Sequence, residues 1–294
     1  MLERRTEGGS LQEFRNAKPP NMPEEFSHKW SKIRSAKTDA DEKVLFVEPG
    51  EVPVTQRQVI FYNEFLFVKR VLDHPRTSDV VELGCGRGTI SLFLAAYLGK
   101  KTALLDTAPD AIEIARSEFS RRGKEAKFLV ADALATGLPG GSFDACISIG
   151  LAEHFERGAL QRLYREQYRI LRPGGVMISL NIPKKFSIQY LNTIYRACRK
   201  WFGNYTQGIR KDYFRSNVTP REYKAIAENV GFKNVSITFT CPIPIFTPVS
   251  RETDRKLATL YRHVLKFRGW FQAYPFQTNP LLAQEHFLVG YRQP

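Results

Sequence analysis

From Asp79 to Ile182 the apolar positions switch repeatedly between two periods. Short β-branched runs, DVVEL, KTALLD, AKFLVAD, SFDACISIG and VMISLNI, end in glycines or acids. Between them lie the longer stretches TISLFLAAYLG, PDAIEIARSEFSRRG and ALQRLYREQYRIL. Strands alternating with helices of this length predict parallel βαβ units with right-handed crossovers. The punctuation agrees with that reading. Gly99 and Gly123 stop the first two helices, and Thr107 is placed to cap the second, with Asp110 as its capping-box partner and Pro109 in the first turn. The tetrapeptide RPGG (172–175) predicts a turn before the fifth strand.

Outside this stretch the pattern changes. Residues 1–43 are polar, charged and interrupted by Pro19, Pro20 and Pro23, which predicts a mostly flexible arm holding one short helix. Residues 44–78 form a helical segment. Its helix runs from 55 to 72, begins with Thr55 as cap, and is apolar around much of its circumference. The domain proper spans 79–294, with basic, aromatic cap insertions at about 184–218 and 241–284. Thr219 and Pro220 open a further helix, TPREYKAIAENVG. KNVSITFT and EHFLVGYR read as sixth and seventh strands.

Composition narrows the class. The hydrophobic share of 43% is that of a globular chain, so extended disorder is excluded. No apolar run has the length of a membrane span, and the first residues, MLERRTEGGSLQEF, lack the apolar stretch of a signal peptide. Four separated cysteines show no CxxC spacing, so neither zinc nor a disulfide framework is indicated. These features predict a cytoplasmic protein. The net charge of +14 is uneven: residues 184–268 carry 17 Lys/Arg against 5 Asp/Glu. Such a segment suggests an anionic partner: nucleic acid, an acidic membrane surface or an anionic substrate.

The strongest chemical signal is Glu82-Leu83-Gly84-Cys85-Gly86-Arg87-Gly88, at the end of the first strand. The spacing is G-x-G-x-G rather than the G-x-G-x-x-G of dinucleotide folds, and an acid stands two residues before the first glycine. An acid is awkward beside a diphosphate and sensible beside a cation such as the sulfonium and ammonium of S-adenosylmethionine. Asp106, closing the second strand, can accept both hydroxyls of a ribose, as acids do in NAD-binding folds. Asp132 in VADA can accept an adenine amino group. The run LPGGSFD (138–144) leads into the fourth strand.

VVELGCGRG, LLDTAP, VADA, LPGGSFD and LRPGG together resemble the class I methyltransferase family, especially its quinone and small-molecule branch. The resemblance covers about residues 79–182 and more weakly the last strands. It implies a Rossmann-like α/β fold with a seven-stranded, mostly parallel sheet, an antiparallel last strand and helices on both faces. It also implies S-adenosyl-L-methionine as cofactor. Glu82, Gly84 and Gly86 would lie near the methionine moiety, Asp106 at the ribose and Asp132 at the adenine. With Cys85, Gly88, Thr107, Ala133 and Ile149, which occupy the same strand-end turns, these are the expected cofactor-binding residues.

Methyl transfer to oxygen or to an acidic carbon needs a base. Glu153 and His154, in GLAEHF just past the fourth strand, are the catalytic candidates. Relatives that bind a metal here carry E-x-x-E-H; Gly150 replaces the first acid, so no metal is expected. Between 188 and 202, Leu191, Ile194, Tyr195, Cys198, Trp201 and Phe202 mark one helical face. That face is expected to cover the substrate pocket; the same basic amphipathic helix also suits an acidic membrane. Tyr274, Pro275 and Phe276 are expected to add apolar walls. The expected acceptor is a small, apolar or anionic molecule of quinone, polyketide or lipid-linked type, methylated on oxygen or carbon. An RNA methyltransferase is the second reading: cations and aromatics mix at 210–215 and 261–271, but no compact RNA-binding module is visible. A cofactor-binding scaffold without catalysis is the third.

Overall fold

Five strands run parallel: β1 (Asp79–Leu83), β2 (Lys101–Asp106), β3 (Lys127–Val130), β4 (Phe143–Ile149) and β5 (Leu171–Asn181). β6 (Lys233–Thr240) and β7 (Glu285–Tyr291) complete one sheet in the order β3-β2-β1-β4-β5-β7-β6, and β7 is antiparallel to both neighbours. The computed structural model describes residues 24–35, 45–73, 77–182, 187–201, 214–247, 250–264 and 275–294. No helix among the described residues is long and apolar enough to cross a membrane.

Helices cover both faces, so the central strands are apolar on both sides: Val80, Val81 and Leu83 are fully buried. α3 (Thr89–Leu98), α4 (Pro109–Ser120), α5 (Arg157–Ile170) and α7 (Pro220–Val230) lie against the sheet. α2 (Gln56–Leu72) starts in a capping box between Thr55 and Gln58. Phe65 of α2 stacks on Phe93 of α3 at 4.8 Å, and Phe67 stacks on Phe287 of β7 at 4.0 Å, which ties the helix into the main core. Within residues 1–43, α1 (Glu24–Ser35) packs on α4, where Arg34 pairs with Asp110 at 2.6 Å.

Three local expectations are corrected. Thr107 does not cap α4; the cap position is Ala108, with no side-chain bond. The Ala108 N–H goes instead to Asp106 Oδ1 at 2.9 Å, so the ribose candidate supplies the capping oxygen and Asp110 turns to Arg34. RPGG is not a separate turn. It lies inside β5, opposite a register shift between Phe143 and Ala145, where Arg172 binds Asp144 at 2.5 Å and Asp79 at 3.0 Å. The third concerns α6 (Tyr190–Trp201): its apolar face points outward. Phe202 and Tyr274 lie outside the described residues; Phe276 is buried beside α2 and α8 (Arg251–Val264).

Strand order reverses direction between β1 and β4. In an open α/β sheet this leaves a crevice beyond the carboxyl ends of those two strands, where ligands bind.

Candidate functional site

The crevice is floored by the glycine loop. Gly84, Gly86 and Gly88 all take positive φ, at 68°, 53° and 67°. A Cβ on Gly88 would stand 2.2 Å from Leu104 Cδ2, so the loop must lie flat on β2. The Cys85 N–H donates to Leu105 O at 3.0 Å and the Gly86 N–H to Asp106 Oδ2 at 2.9 Å. Asp106 thus spends lone pairs on main chain, on the loop, on the first turn of α4 and on the Thr107 N–H, and a diol would compete for what is left. Burial raises its pKa and these bonds hold it back.

Glu82 sits below the loop, buried, and its Oε2 accepts from Ser91 N at 3.2 Å and Ser91 Oγ at 2.5 Å. Gly88, the cap of α3, has no side chain to do this. Burial pushes Glu82 up to about 7. Asp132 is half-buried past β3 and accepts from Leu134 N at 2.8 Å, with Ala133 buried beside it. Ile149 ends β4, and Thr107 follows Asp106, both half-buried. The strand-end residues therefore follow one another along the carboxyl ends of adjacent strands, from Asp132 after β3 past Asp106 and the glycines to Ile149 of β4.

Beyond β4 a short 3-10 turn, Ala152–His154, carries the two catalytic candidates. The segment after residue 213 clamps it. Ser216 N donates to Glu153 O at 2.8 Å, and His154 Nδ1 bonds Phe214 O at 2.7 Å. A carbonyl only accepts, so Nδ1 carries the proton and Nε2 is the basic nitrogen. Burial and then the Arg215 and Lys29 charges lower the His154 pKa, opposed by the Phe214 bond. Glu153 is 2% exposed, and its Oε2 has no hydrogen-bond partner among the described residues.

Four features escaped the sequence reading. Trp30 of α1 lies on the glycine loop: a Cβ on Gly86 would meet its ring at 2.8 Å. Lys29 beside it acts electrostatically on Asp106, Glu153 and His154. Glu64 of α2 and Glu285 of β7 are buried, and both feel Glu153. Glu64 Oε2, like Glu153 Oε2, lacks a partner among the described residues. Burial raises all three carboxyls, Glu153 and Glu285 to about 7 and Glu64 well above its ordinary range. The one available clue was polarity inside a core helix, Asn63-Glu64 between Tyr62 and Phe65.

Glu153 therefore weakens the fold as it ionises. A carboxyl with a raised folded pKa holds its proton when the unfolded chain has lost it, so stability falls as pH rises from about 4.3 to about 7. Glu153→Gln, which copies the protonated acid, should stabilise the protein by about 2 to 3 kcal/mol more at pH 8 than at pH 5. Urea melts of both proteins at the two pH values test this; equal differences would show that Glu153 is ionised throughout.

A protein-family model described as a methyltransferase domain matches residues 80–175. The demethylmenaquinone methyltransferase of Thermus thermophilus is 37% identical over 106 residues, 35% of this chain and 47% of that protein. The 2-methyl-6-phytyl-1,4-hydroquinone methyltransferase of Synechocystis sp. is 32% identical over 104 residues, 35% of this chain and 32% of that protein. Each match spans less than half of the curated relative. Among solved structures, phosphoethanolamine N-methyltransferase 2 of Haemonchus contortus aligns with a TM-score of 0.51 at 15% identity, covering 79% of this chain and 53% of that one. A SAM-dependent methyltransferase of Archaeoglobus fulgidus aligns with a TM-score of 0.50 at 16% identity, covering 79% and 94%. At these identities the structures establish a shared fold.

Proposed function

We propose, from the match of residues 80–175 to a methyltransferase-domain model and the Rossmann-like sheet that carries it, that the chain moves a methyl group from S-adenosylmethionine to a small-molecule acceptor. The cradle suits that cofactor. What supports the reading is the left-handed backbone of Gly84 and Gly86, packed under Leu151 and Trp30, the carboxylate of Asp106 for a ribose, Asp132 past the third strand for an adenine, and the buried acid Glu82 for a cation. S-adenosylmethionine supplies an electrophilic methyl group on a sulfonium. The protein's own residues align the acceptor and remove its proton.

The acceptor is read as a small, apolar or anionic molecule methylated on oxygen or carbon, with oxygen favoured. The supporting observation is the pair of buried, unpartnered carboxyl oxygens, Glu64 Oε2 and Glu153 Oε2. Burial favours the protonated form of both, whose O–H donates to the acceptor's oxygen and leaves the acceptor's own hydroxyl proton for a base. His154 Nε2 takes the hydroxyl proton. An anionic body extending outward meets Arg215, exposed at the rim. The test is incubation with S-adenosylmethionine and a cell-metabolite fraction, scored by S-adenosylhomocysteine release and by a metabolite gaining one methylene. Tight NAD(H) uptake with no affinity for S-adenosylmethionine would overturn the reading.

On this reading the Trp30 ring, packed on Gly86, would cover the cofactor. Trp30→Ala should weaken S-adenosylhomocysteine binding about tenfold, the worth of one buried aromatic face. Titration calorimetry measures it, and unchanged affinity would remove α1 from the site.

A further inference from the structure

α6 is an amphipathic helix packed the wrong way round for a core helix. Its polar side faces the protein. Gln189, just before it, exchanges two bonds with Ile245, through Nε2 to the carbonyl at 3.0 Å and from the Ile245 N–H to Oε1 at 2.7 Å. Asn192 is buried and accepts from Thr247 N at 3.0 Å, and Tyr195 meets Phe246 edge to face at 5.4 Å. The opposite side exposes Tyr190, Leu191, Ile194 and Trp201, the last at 88%. α8 is tied to the same stretch of chain by Tyr261 Oη, which donates to Pro244 O, and it exposes Leu260 and Val264 as well.

A row of large apolar side chains in water is unfavourable and marks a surface that something covers. Charge selects the occupant. Residues 184–268 carry 17 cations against 5 acids, and the exposed cations include Lys200 of α6 and Arg255 of α8. A second copy docked through this face would bring two such surfaces together and be repelled. An anionic lipid surface is attracted by the cations and takes up the apolar row, with Trp201 at the interface.

We propose that α6 is a membrane-surface docking helix that seats this chain on anionic lipid through Leu191, Ile194 and Trp201. The proposal does not depend on methyl transfer. The test is sedimentation of the full chain with vesicles of phosphatidylglycerol and phosphatidylcholine, and with phosphatidylcholine alone. Binding is expected only to the anionic vesicles, weakening as salt is raised, and at least tenfold weaker for Ile194→Ser/Trp201→Ser. That variant changes exposed side chains only, and an unaltered melting temperature verifies its fold. Equal partition of both proteins, or no vesicle binding, overturns the proposal. So does concentration-dependent dimerisation, or a tRNA gel shift, that the variant loses while vesicles stay unbound.

Discussion

Asp106→Asn is expected to weaken S-adenosylmethionine and S-adenosylhomocysteine binding at least 100-fold and to destabilise the protein by about 2 kcal/mol. The two carboxylate oxygens each receive a main-chain N–H, from Gly86 and from Ala108, at 2.9 Å. An asparagine presents one oxygen and one NH2, so one of those buried donors must face another donor. The glycine loop and the first turn of α4 are then no longer held to the same side chain. A diol would also meet fewer acceptor lone pairs. Titration calorimetry gives the affinity and a urea melt the stability. Full affinity in a destabilised variant would leave Asp106 a structural clamp and move the ribose elsewhere.

How the sequence disclosed this arrangement follows from the range of each interaction. The five parallel strands and their helices were legible because burial on one or two faces imposes a period, and Gly99 and Gly123 stop helices locally. The glycine loop and Asp106 were legible as a motif. Thr107 misled because capping is a competition. A carboxylate one residue earlier, already anchored to Gly86, reaches the Ala108 N–H first. α6 misled for a related reason: its apolar period is real, but the period does not say which side faces the protein. The polar anchors Gln189 and Asn192 decide that, through partners 55 residues or more away in sequence. Trp30, Glu64 and Glu285 carried no motif. Each gains its meaning from contacts with distant parts of the chain, on the glycine loop for Trp30 and around Glu153 for the two acids.

The acids also bear on what each catalytic candidate does. Glu153 is buried with a pKa near 7, while His154 next to it is kept below the usual histidine value by burial and the nearby cations. Near neutral pH the imidazole is therefore the uncharged partner, with Nδ1–H fixed on Phe214 O and Nε2 basic. Glu153, part protonated, is suited to holding a hydroxyl rather than removing its proton. His154→Ala should then lower kcat/KM about 100-fold or more while leaving cofactor affinity within twofold. In the unsubstituted enzyme kcat/KM should stay level down to a pH below 6.5, because the base is neutral there, and then fall as the ring takes up a proton. The variant should lose that acid limb and regain part of its rate with added imidazole. Turnover of the acceptor-containing fraction, followed as S-adenosylhomocysteine release across pH, measures both effects. If His154→Ala keeps the same acid limb, the titrating group is another residue, and Glu153, the adjacent group that ionises near 7, becomes the base.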